Sequence, residues 1–107
     1  MKQSIKKYYV YIITNKNKSV LYTGFTNNLT RRIFEHRNKV FDSFSKKYNL
    51  EKLIYFETYN SKEKAEAREK QIKAGSRARK IKLIESINEN WIDISDRLLF
   101  PSMLGGK

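Results

Sequence analysis

Five side chains in this sequence combine residue type and spacing in a way that could do chemistry: Tyr11, Tyr22, Arg32, His36 and Glu69. The two tyrosines lie in apolar runs, Tyr8–Thr14 and Val20–Phe25, separated by the polar stretch Asn15–Lys18. Taken as a hairpin with a four-residue turn, this places Tyr11 opposite Tyr22, Ile12 opposite Leu21 and Thr14 opposite Ser19. Opposed residues share a face, so the two phenols would be neighbours, with Gly24 next on that face. As a hairpin alone, the pair reads more readily as a cross-strand aromatic contact than as chemistry. Arg32 and His36 are four apart and share one helix face, at the boundary of the stripe formed by Leu29 and Ile33. Arg32 is suited to a phosphate or to the surface, and a sole histidine is more often a satisfied boundary residue than a reactive one. Glu69 falls with Ala65 and Ile72 on the apolar stripe of another helix. A carboxylate turned toward a core needs a partner, either an arginine such as Arg32 or a bound cation.

The elements that must position these groups follow from pattern. Tyr8–Thr14 is β-branched and aromatic with both faces apolar, which predicts a central strand. Val20–Phe25 is the returning strand, and Asn27 or Asn28 caps a helix from Leu29 to Arg37 or slightly beyond. Lys52–Tyr59 is a third strand, with Leu53, Tyr55, Glu57 and Tyr59 on one face and Ile54, Phe56 and Thr58 on the other. Asn60 with Glu63 opens a second helix to about Ala74, Gly75 ends it in the left-handed conformation, and Ser76 caps a third helix to about Ile87. The order β-β-α-β-α-α describes a small α+β domain, a three-stranded antiparallel sheet flanked by three helices. It occupies residues 1–90, and residues 91–107 are expected to form an irregular C-terminal tail with apolar anchors such as Trp91.

Composition narrows the partners. The chain has 107 residues and a formal charge of +12, with 23 basic and 11 acidic side chains, one His and no Cys. That length fits one domain. Without cysteine there is no disulfide, thiol catalysis or cysteine zinc site, and the absence fits a reducing cytoplasm. No apolar run is long enough to span a membrane. Residues 1–82 carry 21 basic and 7 acidic side chains, whereas residues 83–107 carry 2 and 4. A body so charged favours a polyanion, and nucleic acid is the expected partner, held with a steep salt dependence. Lys70, Lys73, Arg77, Arg79 and Lys80 are candidates to hold the nucleic-acid backbone, with a solvated helix face as the competing reading.

The ordered set resembles the GIY-YIG nuclease family. Tyr9-Val10-Tyr11 stands at the Gly-Ile-Tyr motif and Tyr22-Thr23-Gly24 at Tyr-Ile-Gly, with family-like steps on to Arg32, His36 and the Ala67–Lys73 segment around Glu69. The similarity covers roughly residues 8–88 and is closest to small stand-alone bacterial members related to the N-terminal nuclease domain of the excinuclease. Tyr9 and Thr23 depart from the motif, and Asn88 or Asn90 could stand for a late family asparagine. The resemblance implies metal-dependent hydrolysis of DNA phosphodiesters, of the kind used in repair or recombination. It implies Glu69 as main ligand of one divalent ion, Mg²⁺ or alternatively Mn²⁺, since sparse ligation suits an ion that keeps its waters. It also implies Arg32 on the phosphoryl oxygens, Tyr11 or Tyr22 as the base, and His36 bonded to a tyrosine or the phosphate. A phenol with pKa near 10 costs roughly 4 kcal/mol to ionise at pH 7, so such a base needs a nearby positive charge. With no separate DNA-reading domain expected, a protein partner would supply target specificity. The alternatives are a catalytically weak nucleic-acid-binding adaptor and, less favoured, a nuclease acting on RNA.

Overall fold

The structure, a computed structural model, describes residues 6–38 and 47–96. Strands β1 (Tyr8–Thr14) and β2 (Leu21–Thr26) are followed by helix α1 (Leu29–Asn38), strand β3 (Lys52–Tyr59) and helices α2 (Lys62–Ala74) and α3 (Arg77–Glu85). The α+β order expected from the pattern is the observed one. The sheet is antiparallel in the order β2-β1-β3, so β1 is central. That position explains why both of its faces are apolar: Val10, Ile12 and Ile13 are essentially inaccessible.

Each sheet face carries its own core. Tyr11 and Ile13 pack with Leu29 and Ile33 of α1, while Val10 and Ile12 pack with Ala65 and Ile72 of α2 and Ile84 of α3. Beyond α3, Trp91 joins the second core and Ile94 the first, so the chain as far as residue 96 closes over both. Among the described residues no helix is long and apolar enough to cross a membrane.

The hairpin register differs by two residues from the expected one: Tyr11 faces Gly24, and Tyr22 faces Ile13. The connection is longer than a four-residue turn because Asn15 organises it. Its Oδ1 accepts from the amides of Ser19 (2.9 Å) and Val20 (3.2 Å), and Lys18 adopts φ 60°. A shift of two keeps every side chain on its face, so the tyrosines remain on one side of the sheet. In β3 the strict alternation fails. Ile12 pairs with Tyr55 and Ile13 with Leu53, which leaves Ile54 as the extra residue of a bulge. Ile54 and Tyr55 therefore both enter the α2/α3 core, and Leu53 and Phe56 enter the α1 core.

Caps set the helix starts. Asn28 Oδ1 accepts from the Arg31 amide at 3.0 Å, and Ser76 Oγ from the Arg79 amide at 3.1 Å. The cap of α2 is Ser61, which accepts from the Lys64 amide, in place of the expected Asn60. Gly75 ends α2 with extended backbone (φ −76°, ψ 161°) and not in the left-handed region. Its amide still donates to the Ile72 carbonyl at 3.1 Å, and Ser76 follows at once as the next N-cap. Helix α3 ends at Glu85, two residues before the expected limit.

Candidate active site

The first site element is an aromatic cluster on the α1 face of the sheet. Tyr11 is 2% exposed and its ring crosses toward β2 above Gly24, where a Cβ would collide with the phenol. The glycine of the second motif thus gives the first tyrosine its place. The Tyr22 ring lies 6.4 Å from that of Tyr11 at 29°, a stacked arrangement across a diagonal of the hairpin. His36 stands edge-on to both rings, at 5.9 Å from Tyr11 and 5.4 Å from Tyr22. Its Nε2 lies 3.2 Å from the Tyr11 hydroxyl, within hydrogen-bond reach.

His36 is 2% exposed, so it belongs to the buried stripe of α1 and not to the boundary where its spacing from Arg32 would put it. Arg32 does lie at the boundary, with a side chain 29% exposed and its Nε 3.7 Å from Glu35 Oε1. The arginine and imidazole are one turn apart on the same helix, and it is the imidazole that meets the phenols.

Glu69 belongs to the other layer. Its side chain is 18% exposed and its Oε2 is 3.0 Å from Lys73 Nζ. Successive helix residues are about 100° apart, so Arg68 and Glu69 leave α2 on opposite flanks of the stripe formed by Ala65 and Ile72. Arg68 reaches β3 through Glu57. Glu69 therefore lies on the flank turned toward β2, the strand of Tyr22 and Gly24. The structure brings the phenols and His36 together, with Arg32 one helical turn before the imidazole. Glu69 is carried by α2, whose buried residues pack in the core of the other sheet face.

Among the described residues no group of three or more His, Asp and Glu could encircle a metal ion. Glu69 alone fits only an ion that keeps most of its waters, as Mg²⁺ does. The Lys73 ammonium sits on Glu69 Oε2, so an ion bound at that oxygen would compete with it.

The basic candidates are differently employed. Arg77 donates to the Lys18 carbonyl at 2.7 Å and the Ser19 carbonyl at 3.4 Å, docking the hairpin loop on α3. Lys73 holds Glu69, and Lys80 Nζ lies 3.4 Å from the Lys73 carbonyl. Lys70 and Arg79 are exposed. Asn88 is buried, with its Nδ2 donating to the carbonyls of Ile54 and Ile92 and its Oδ1 accepting from the Ile92 amide, so its amide ties the chain after α3 to β3. Asn90 is exposed.

Sequence reasoning missed a second polar cluster. Glu57 of β3 accepts hydrogen bonds from Tyr55, from Tyr59 (2.6 Å) and from Arg68 Nε (2.9 Å) and Nη2 (2.9 Å). Burial acts to raise its pKa, but the Arg68 and tyrosine hydrogen bonds prevail and hold the carboxyl below its usual range. Burial together with the Glu57 charge pushes the Tyr55 phenol well above the usual value, and Tyr59 in the same direction. The signal was present as a carboxylate between two tyrosines at alternating strand positions, which needs a cation from the helix above.

A three-stranded sheet with paired phenols on its hairpin and an Arg-His helix beneath them defines a nuclease-type α+β domain. The chain belongs to the GIY-YIG family: residues 7–82 match its GIY-YIG catalytic domain, a domain of endonucleases. A UPF0213 protein of Clostridium perfringens is 44% identical over 78 residues, 73% of this chain and 83% of its own length. A UPF0213 protein of Staphylococcus haemolyticus is 42% identical over 79 residues, covering 74% of this chain and 95% of the relative. The solution NMR structure of a UPF0213 protein from Bacillus halodurans superimposes with a TM-score of 0.54 at 28% identity, over 84% of this chain and 95% of that one.

Proposed function

We propose that this chain is a divalent-metal-dependent endonuclease that hydrolyses DNA phosphodiesters, with RNA the less favoured substrate. The observation that carries the reading is the meeting of Tyr11, Tyr22 and His36 over Gly24, with Arg32 one helical turn from the imidazole. Tyr22 is the more accessible phenol and takes the proton of the attacking water. Tyr11, in reach of His36, holds the Tyr22 ring and offers a second station for that proton. Arg32 lowers the cost of phenolate formation and meets the charge that develops on the phosphoryl oxygens.

Glu69 is the residue that would hold a divalent ion, which supplies positive charge to the phosphate and the departing oxygen when bound. Glu69 and Tyr22 are carried by elements of different cores, so the substrate strand would have to reach both layers. Lys70, Lys73, Arg79 and Lys80 supply backbone contacts from α2 and α3, and Arg77 does so only on leaving the hairpin loop. The nuclease-like unit is assigned to residues 1–90 and the tail to 91–107, with target choice left to a protein partner.

The test is cleavage of linear, nicked and branched DNA by the purified chain with Mg²⁺ or Mn²⁺. Glu69→Gln is expected to abolish cleavage and to retain DNA binding; undiminished cutting by this variant rejects the role of Glu69. The adaptor reading draws on the Lys73 ammonium seated on Glu69. It predicts firm binding without nicking by the unaltered chain on every substrate.

A further inference from the structure

Helices α2 and α3 enclose a groove of about 330 Å³ on the layer opposite the aromatic cluster. Ile72 and Leu83 line its apolar part, and Arg79, Lys80 and Lys82 stand along its rim, with Arg68 at one wall. Among the described residues no acidic side chain lines it. Arg68 is committed to Glu57, and Lys80 lies near the Lys73 carbonyl. Arg79 and Lys82 are exposed, and neither side chain has a hydrogen-bond or ion-pair partner among the described residues. An apolar floor edged by uncompensated cations calls for a ligand that joins a flat apolar group to negative charge.

We propose that the α2/α3 groove is a second nucleic-acid site that takes one unpaired nucleotide, its base against Ile72 and Leu83 and its phosphates against Arg79 and Lys82. The volume lies at the small end of ligand sites, the scale of a single base with its sugar and not of a duplex. A paired base cannot turn its face to such a floor without leaving its stack. The site therefore selects strands with unpaired nucleotides, whereas cations alone would hold duplex and single strand alike. This inference rests on the reading of the chain as a nucleic-acid enzyme, and it adds a preferred substrate class: DNA that carries a single-stranded stretch beside the cutting site.

The test is equilibrium binding in EDTA, where no cutting occurs, using a short oligothymidylate, an abasic oligomer of equal length and charge, and a duplex. The oligothymidylate is expected to bind about tenfold more tightly than the abasic strand. The Lys82→Ala variant is expected to narrow that difference to about threefold and to weaken duplex binding less than about twofold. Lys82 is exposed, so the variant should retain its fold, checked by circular dichroism. Equal affinity for the two single strands overturns the base-binding groove while leaving the nuclease reading intact. Failure to bind any of the three nucleic acids overturns both. Displacement of oligothymidylate from the groove by a Glu-Phe peptide of equal charge, at equal or lower concentration, overturns the proposal in favour of a protein ligand.

Discussion

On one face of the sheet two phenols meet an imidazole, with an arginine one turn away; on the other, two phenols meet a carboxylate held by an arginine. Both clusters contain two tyrosines at short range, and their chemistry diverges because of the third partner. Tyr55 and Tyr59 donate to Glu57, and its negative charge acts with burial to keep both protons on. A phenol so placed is a poor base and a good structural strut. Tyr11 and Tyr22 surround His36, and the nearby formal charge is the Arg32–Glu35 pair at the helix boundary. The pairing of tyrosines is therefore not itself the signature of a site. What distinguishes the candidate is its third partner, an imidazole in place of a carboxylate, with an arginine one helical turn away.

Substitutions can separate the two clusters. The largest effect is expected from Gly24→Ala. The added Cβ meets the Tyr11 hydroxyl, so the ring must shift away from its place beside Tyr22. Cleavage should fall by about two orders of magnitude or more, as for loss of general base catalysis, measured on a DNA substrate with the fold monitored by circular dichroism. Cleavage within a factor of about two of the unaltered rate would show that the Tyr11 position is immaterial.

Next in size is Arg68→Ala, which leaves Glu57 beneath α2 without its guanidinium. A loss of about 2 kcal/mol in urea unfolding is expected, with intrinsic cleavage retained while the protein is folded. A selective loss of cleavage at unchanged stability would move the reactive centre to the second cluster.

A smaller, pH-dependent effect belongs to the same cluster. Glu57 is depressed below its ordinary 4.5, so its stabilisation is present above that value and is lost as the pH falls through its lower native pKa. Tyr55 and Tyr59 are raised above 10.0, so their contribution is present below pH 10 and is lost as the pH rises toward their native values. Unfolding free energy should therefore decline at both ends of the scale, and Glu57→Gln should flatten the acid limb. An acid limb unchanged by Glu57→Gln contradicts the assignment.

Much of this architecture was legible from local residues. β1 is central because neither of its faces could be left in water, and Asn28 and Ser76 start helices by the same oxygen-to-amide bonds that their types suggested. Tyr11 and Tyr22 share a face despite the shifted register, since a slip of two preserves sidedness. The register was hidden because Lys18 adopts a left-handed backbone that its residue type does not announce, while Asn15 spans a connection longer than a tight turn. The bulge at Ile54 was equally silent, because every residue around it is apolar or aromatic and fits either face. His36 could be aligned with Arg32 but not seen as buried, since its burial depends on Tyr11 and Tyr22 closing over it. The pairing of Glu57 with Arg68 joins a strand to a helix and leaves no local period.

The most direct test compares one hydroxyl from each cluster. Tyr22→Phe and Tyr55→Phe each remove a single oxygen and keep the ring, and both can be assayed on the same DNA with Mg²⁺. Tyr22→Phe is expected to fold normally and lose cleavage by about a hundredfold or more. Tyr55→Phe is expected to lose about 1 kcal/mol of stability and to cut at the unaltered rate. Undiminished cleavage by Tyr22→Phe, or its collapse in Tyr55→Phe alone, contradicts the account.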